Sequence, residues 1–357
     1  MRNRLLTKYR LFPLIPFVLS ILLNSPSSFS QSGRFFQPVK LSEKVYLALA
    51  TDSNQEIGNC GFVITSQWVC VYGSSQRVEA AEELIALIKN TTPLPIRYLV
   101  NSQYRGHHTH GNQSFLSSHI VIISSRQARS DMVDKDLPQL QRYQQVLPDS
   151  IDRLKKEIRT TPAGPQADEL LQEIARREKI MLQLSSLRLV LPDLSFDSSL
   201  SMHDGEQELI IMNPGKGSTA GDVILWLADQ KILYAGDLVF TQMIPDLDDA
   251  YTKEWIDTLS VMEKMKPEVV VPAIGPVSDE NILLETRQYL TELRKTVKQY
   301  FDKGDGLDLI LQNCVLPNKY KTYKDTDYYP NNIEKVYREL QAEASVQVKP
   351  PPTLRPE

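Results

Sequence analysis

The chain is poor in the residues that most often carry metal and redox chemistry. Its 357 residues include five histidines (His107, His108, His110, His119 and His203) and three cysteines. Three of the histidines fall within four residues and none follows position 203, so the last third of the chain can supply no imidazole to a site. Cys60, Cys70 and Cys314 lack metal-binding spacing, and their odd number allows at most one internal disulfide. A net charge of −4, from 40 basic and 44 acidic residues, excludes the basic footprint of a nucleic-acid binder. No internal repeat is visible. No apolar run reaches the roughly 20 residues of a membrane-spanning helix. What is present, 41% hydrophobic and 24% charged residues, suits a chain that buries a sizeable core, either two average domains or one large one with insertions.

The first thirty residues carry Arg2, Arg4, Lys8 and Arg10 and no acid, then an apolar stretch of about 13 residues, Leu11–Leu23, and the small-x-small run Ser28-Phe29-Ser30. That order predicts a secretory signal peptide over residues 1–30, with an uncleaved membrane anchor as the alternative although the apolar part falls short of the roughly 20 residues of a span. Its removal takes four positive charges and leaves a mature chain of net charge −8. A secreted or periplasmic location is oxidising, so the thiols could pair there. A two-residue turn at Ser66-Gln67 would set Cys70 opposite Val63 rather than Cys60, so a Cys60–Cys70 bridge is not expected.

Short runs rich in Val, Ile and aromatics predict strands at Val45–Ala50, Cys60–Ile64, Trp68–Tyr72, Ile96–Val100 and His119–Ile123. More follow at Glu208–Met212, Val223–Ala228, Lys231–Tyr234 and Val269–Val271. Helical periodicity marks Val78–Lys89, Trp255–Met265 and Asn281–Lys303. Residues 131–195 differ in character: Ser150–Arg159, with Ser150 as N-cap, and Gln166–Leu187 are charged and amphipathic, broken by Thr161-Pro162-Ala163-Gly164-Pro165. They predict a helical hairpin inserted between sheet regions. The proposed boundaries are therefore a domain over 31–315 containing that insertion, and a carboxy-terminal extension over 316–357 with a disordered Pro-rich tail from Lys349. The fold class is α/β or α+β.

Four loops after strands carry unusual residues. They are Asn101-Ser102-Gln103-Tyr104-Arg105-Gly106-His107-His108-Thr109-His110-Gly111-Asn112, Asn213–Asp222, Tyr234-Ala235-Gly236-Asp237 and Pro272-Ala273-Ile274-Gly275-Pro276. In this order, over roughly residues 40–305, they resemble the metallo-β-lactamase-fold hydrolase superfamily, closest to its cyclase-like branch. The resemblance implies an αββα sandwich with two metals, usually zinc, at one sheet edge, where a metal-activated water attacks an ester, lactam, lactone or thioester carbonyl. The family's loops read His-x-His-x-Asp-His, Gly-His-Thr, Gly-Asp and Gly-His-Gly.

Placed on that pattern, Gly111-Asn112, Thr219, Gly221-Asp222, Gly236-Asp237, Pro272 and Gly275-Pro276 match. The ligands do not: the first two histidine positions are Gln103 and Arg105, the aspartate position is His107, the Gly-His-Thr histidine is Ser218, and the last histidine is Ile274. His108 and Asp237 are kept. A two-ion site needs several imidazoles and carboxylates. Gln103, Arg105, Ser218 and Ile274 offer no strong ligand, and a guanidinium stays charged and repels a cation. His107, His108 and Asp237 could still hold one divalent ion, zinc or iron. The cofactor expectation is therefore none or one divalent metal.

Other readings of these loops are weaker. Gly215–Gly221 suggests a phosphate loop, but a strand rather than a helix follows it. Ser218 lacks the elbow and base of a nucleophile. His108 and His110 could form a separate metal pair, yet two histidines in a surface loop are usually solvated, and His119 and His203 read as structural or exposed. The leading expectation is an exported, diverged family member with a degenerate site that binds an unidentified small molecule or runs altered chemistry. The alternatives are a mononuclear metal-dependent hydrolase and a structural or partner-binding module. In the last, the 131–195 insertion covers the site or joins two copies of the chain.

Overall fold

The structure, a computed structural model, describes residues 33–51, 57–116, 119–205 and 207–347. The expected leader and Pro-rich tail lie outside the described residues. The first half runs β1 (Phe36–Lys40), β2 (Val45–Ala50), β3 (Cys60–Ile64), β4 (Val69–Tyr72), α1 (Val78–Thr91), β5 (Ile96–Val100), α2 (Gly106–Thr109), β6 (Val121–Ser125), α3 (Arg126–Asp131), α4 (Leu137–Ile158), α5 (Pro165–Ser185) and β7 (Leu194–Phe196). The second half runs β8 (Ser199–Asp204), β9 (Gln207–Met212), β10 (Ile224–Leu227), β11 (Ile232–Gly236), α6 (Thr252–Lys264), β12 (Val269–Pro272), α7 (Asn281–Phe301), α8 (Leu307–Asn313) and α9 (Tyr329–Gln347). Strands β1 to β7 form one sheet in chain order; β12-β11-β10-β9-β8 form the other. The pairs β4–β5, β5–β6, β6–β7 and β11–β12 are parallel and the rest antiparallel.

Three apolar clusters set the layer order. Val45, Leu47, Val63, Tyr72 and Val100 of the first sheet meet Leu209, Ile211, Leu225, Tyr234 and Val271 of the second, so the sheets pack face to face. The outer face of the first sheet is covered by α1, whose Ala80, Ala81, Leu84 and Ile88 recur at helical spacing. The outer face of the second is covered by α6, α7 and α9, with Trp255, Leu259, Leu290, Val297, Ile333 and Val336 inside. The αββα sandwich expected from the sequence is the fold.

The hairpin of β3 and β4 pairs Val63 with Cys70, as the Ser66-Gln67 turn requires. All three cysteines are free and buried, and burial pushes the Cys60 and Cys70 thiols up to about 12.

The helical insertion is the crossover from β6 to the parallel β7. Its first long helix begins at Leu137, thirteen residues before the expected Ser150 cap. The earlier stretch contains Pro148, and proline loses a backbone donor. Here it lies on an exposed face inside α4 and the helix continues past it. Ser150 is a buried interior residue bonded to Arg177 of α5.

The extension over 316–347 is largely helical and belongs to the core, which the sequence analysis did not anticipate. Tyr329, Ile333, Val336 and Leu340 of α9 recur at three- and four-residue spacing and bury against α7. Arg294 of α7 reaches Glu339 at 2.6 Å and Glu343 at 2.7 Å, tying the two helices together. Among the described residues no helix is long and apolar enough to cross a membrane.

One carboxylate joins the two sheets at their far edge. Asp204, at the end of β8, accepts from the Ser66 hydroxyl at 2.8 Å, the Gln67 backbone N–H at 3.1 Å and the Gln67 side-chain amide at 3.0 Å. Hydroxyl bonds from Thr65 and Ser66 and these N–H groups, outweighing burial, hold Asp204 at about 2. A carboxyl held below its unfolded value stabilises the fold above that value and loses the contribution as pH falls from 3.8 towards 2. Thermal melts between pH 4 and 2 should therefore fall more steeply for the wild type than for Asp204→Asn; parallel curves would refute this role.

Candidate functional site

The chemistry-bearing residues meet where β4, β5, β11 and β12 end, at the carboxyl ends of parallel strands. Two glycines make that meeting sterically available. A Cβ on Gly111 would lie 1.9 Å from the Ser74 carbonyl oxygen, so only glycine lets the loop after β5 press on the end of β4. Gly236 has φ +57 and follows a register shift between β11 and β12, a bulge that re-aims the next residue, Asp237.

The loop after β5 is fixed by its backbone. The His108 carbonyl accepts from the Ser74 N–H at 3.2 Å, the Ser74 hydroxyl at 3.0 Å and the Asn101 amide at 3.0 Å. Asn101 and Asn112 exchange two amide bonds of 2.9 Å, closing the loop at both ends. The loop after β12 is pinned by Asn59, whose amide donates to the Pro272 and Gly275 carbonyls at 2.9 and 2.8 Å. None of these asparagines was singled out for such a role from sequence. Their only signal is an amide side chain beside an apolar strand, which is common in loops.

The structure brings His107, His108 and Asp237 together: one ligand atom from each lies within 4.8 Å of the others. His107 Nε2 is 3.0 Å from Asp237 Oδ2 and hydrogen-bonded to it. His108 Nε2 is 3.3 Å from the same oxygen, without hydrogen-bond geometry. The two imidazole rings lie 4.0 Å apart. Gln103 donates its amide to Asp237 Oδ2. Arg105 bonds the Ser218 hydroxyl at 3.1 Å and brings Nη1 to 4.0 Å from Asp237 Oδ2. Ile274 follows Ala273, whose carbonyl and the His107 ring both border Gly58.

Electrostatics follow from burial and these partners. Burial alone would raise the Asp237 carboxyl, but the His107 and His108 imidazoles outweigh it and hold it well below the usual range. Burial, then the neighbouring His107, pushes His108 down to about 4, so its ring is neutral near pH 7. Burial also lifts Asp222 to about 8 against the opposing Thr219 N–H. Burial disfavours the Arg105 charge, but Asp237, Tyr104, Asp246 and Asp249 outweigh it.

Two residues outside the motif complete the rim. Tyr104 donates its hydroxyl to Asp249, and Lys135, just before α4, stands 3.5 Å from that carboxylate and 5.1 Å from the Tyr104 ring centre. His110, expected to be solvated, is buried instead. Its Nε2 is 3.2 Å from both oxygens of Asp136, because the helical insertion folds back over the loop. It takes no part in the cluster around Asp237. His119 and His203 are exposed, as expected.

Two imidazoles and a carboxylate are a sufficient donor set for one zinc or iron(II) ion. Three buried polar atoms here make no hydrogen bond, namely Gln103 Oε1, His108 Nε2 and Asp237 Oδ1, which fits a donor set able to take one cation. A second ion does not fit: the remaining positions hold an amide, a guanidinium, a hydroxyl and an isoleucine.

Comparisons with known proteins give the family and the fold. The family model of the metallo-beta-lactamase superfamily matches residues 79–274, more than half of the chain, and the chain belongs to that superfamily. It is 28% identical over 109 residues to the metallo-beta-lactamase type 2 of Elizabethkingia meningoseptica, an alignment covering 29% of this chain and 44% of that protein. It is 34% identical over 91 residues to the metallo-beta-lactamase type 2 of Bacillus cereus, covering 24% and 36%. The matched segment thus spans less than half the length of these curated relatives. The solved metallo-beta-lactamase from Pontibacter korlensis superposes with a TM-score of 0.53 at 20% identity, covering 72% of this chain and 99% of that one. The DIM-1 metallo-beta-lactamase gives 0.51 at 16% identity, covering 72% and 98%. At those identities the likeness is one of fold.

Asp237 is the only carboxylate bonded to Gln103 and His107 among the described residues, and it faces Arg105. Asp237→Asn would leave a largely buried guanidinium without its nearest counter-charge. The expected loss in chemical denaturation is about 2–3 kcal/mol, below the value for a fully buried pair because a fifth of the Arg105 side chain is exposed. A loss under roughly 0.5 kcal/mol, the level of ordinary surface substitutions, would contradict it.

Proposed function

We propose, starting from membership of the metallo-beta-lactamase superfamily, that this chain is an exported, diverged member whose two-ion centre is reduced to half. On this reading it does not perform two-ion hydrolysis, and the residues around Asp237 act by binding a small molecule. The observation that carries the reading is Arg105. Its guanidinium occupies a ligand position of the missing half-site, bonds Ser218 at a second such position, and faces Asp237 at 4.0 Å. A fixed cation cannot donate to a metal, and it repels one.

In this site the chain's own residues orient and hold. Ser74 and Asn101 fix the His108 backbone, Gln103 and His107 hold the Asp237 carboxylate, and Arg105 and Ser218 close the opposite wall. Tyr104, with Asp249 and Lys135, forms the rim nearest the helical insertion.

A second reading, a one-ion hydrolase, is favoured by the unpartnered buried atoms Gln103 Oε1, His108 Nε2 and Asp237 Oδ1. A single divalent ion on His107, His108 and Asp237 would supply Lewis acidity and lower the pKa of a water.

Elemental analysis of the full-length gene product, expressed with zinc and purified, tests both. At most one equivalent per chain is expected, and two would overturn the proposal. One equivalent lost in Asp237→Ala, together with zinc-dependent turnover of a β-lactam or ester, would favour the second reading. Mass spectrometry of the same sample should find a mature amino terminus near residue 31; an intact Met1 after expression in an exporting host would remove the export part.

A further inference from the structure

We propose that Arg105 is a resident cation holding the place of a divalent ion on Asp237, and that removing its charge turns His107, His108 and Asp237 into a site for one zinc or iron(II) ion. The inference rests on the reading that the second half-site is gone. It asks something further: what sets the affinity of the half that remains.

Three observations meet at one oxygen. Asp237 Oδ2 is approached by His107 Nε2 at 3.0 Å, by His108 Nε2 at 3.3 Å and by Arg105 Nη1 at 4.0 Å. An ion using that oxygen would therefore share a carboxylate with a guanidinium a few ångströms away. Like charges at that range, beside a carboxylate that is only 5% exposed, repel more strongly than they would in bulk solvent. Arg105 cannot escape by losing its proton, because a guanidinium remains charged in proteins.

Arg105 is also held in place. The Ser218 hydroxyl accepts its Nη1–H at 3.1 Å, and the carboxylates of Asp246 and Asp249 add to Asp237 in favouring its charge. Asp249 is itself fixed by Tyr104 and Lys135. The guanidinium is thus built into the wall rather than lying loosely across it.

What the guanidinium leaves unmet points to an ion. Gln103 Oε1, His108 Nε2 and Asp237 Oδ1 are buried and make no hydrogen bond, His108 Nε2 having only its 3.3 Å approach to Asp237 Oδ2, and buried polar atoms are seldom left so. Arg105 balances the charge of Asp237 but bonds none of these three atoms. A half-turn of the Gln103 amide would exchange its donor for its acceptor without moving the backbone. The lone pairs of a one-ion site are therefore present, and the opposing element is a single side chain.

The test compares full-length wild type with Arg105→Met, which keeps length and removes charge, and Arg105→Lys, which keeps charge. A fourth protein combines Arg105→Met with His108→Ala. Zinc is titrated calorimetrically against a competing chelator, and each protein is melted with and without zinc. Arg105→Met should bind one equivalent at least about tenfold more tightly than wild type, and zinc should raise its melting temperature. Arg105→Lys should stay near wild type, and the double variant should lose the gain.

The proposal is overturned if folded Arg105→Met binds no more tightly than wild type, or if the double variant keeps the gain. Should Arg105→Met not fold, Arg105→Gln carries the same test. Two equivalents in wild type would instead sink the preceding reading, whereas at most one in wild type with no gain in Arg105→Met sinks this one alone.

Discussion

A carboxylate buried where two sheets end must be neutralised, and much of the local architecture follows from how that is done at Asp237. The bulge at the end of β11 turns the side chain inward, and Gly236 supplies the backbone angle. Once there, the charge needs partners, and the loop after β5 brings them: Gln103 and His107 bond it, and Arg105 and His108 stand close by at 4.0 and 3.3 Å. That loop can reach the carboxylate because Gly111 packs against Ser74 and because Asn101 and Asn112 close its base. The loop after β5 thus sets its side chains around a single anion.

Charge balance separates this site from a two-ion centre more clearly than any one missing ligand does. Two divalent ions bring four positive charges and need carboxylates and neutral imidazoles around them. Here the inner residues are one ionised carboxylate, one guanidinium, a neutral His108 and a largely protonated Asp222. Such a set is close to balanced without any ion. It still leaves lone pairs unmatched, so the cleft is saturated in charge but not in hydrogen bonding.

The fold was legible because its signals are local and strong. β2, β3 and β5 are dense apolar runs between turns, and their limits agree with the sequence to the residue. The site was legible to the extent that motif spacing brings residues together: His107, His108, Asp237, Gln103, Arg105 and Ser218 do converge. What stayed hidden depends on tertiary context. The first half of α4 lay before the expected Ser150 cap, because the helix runs on through Pro148 and buries Ser150 in its interior. His110 looked solvated because its partner, Asp136, belongs to an element whose position over the loop no local pattern encodes. The place of α9 was missed because an amphipathic helix after a long irregular stretch does not announce what it packs on.

The way α9 grips the molecule bears on the order in which the protein is made. Asn332 donates its amide to the Pro245 carbonyl and accepts from the Leu247 N–H, Lys335 reaches the Asp248 carbonyl, and Glu339 takes the Thr252 N–H. These are the anchors of the segment that carries Asp246 and Asp249 to the rim of the cleft. A chain emerging from the ribosome presents both sheets and the paired histidines long before it presents residue 339. The segment carrying Asp246 and Asp249 therefore gains its last anchors from the end of the chain, so a nascent protein arrested short of α9 would lack the Asn332, Lys335 and Glu339 contacts that hold it.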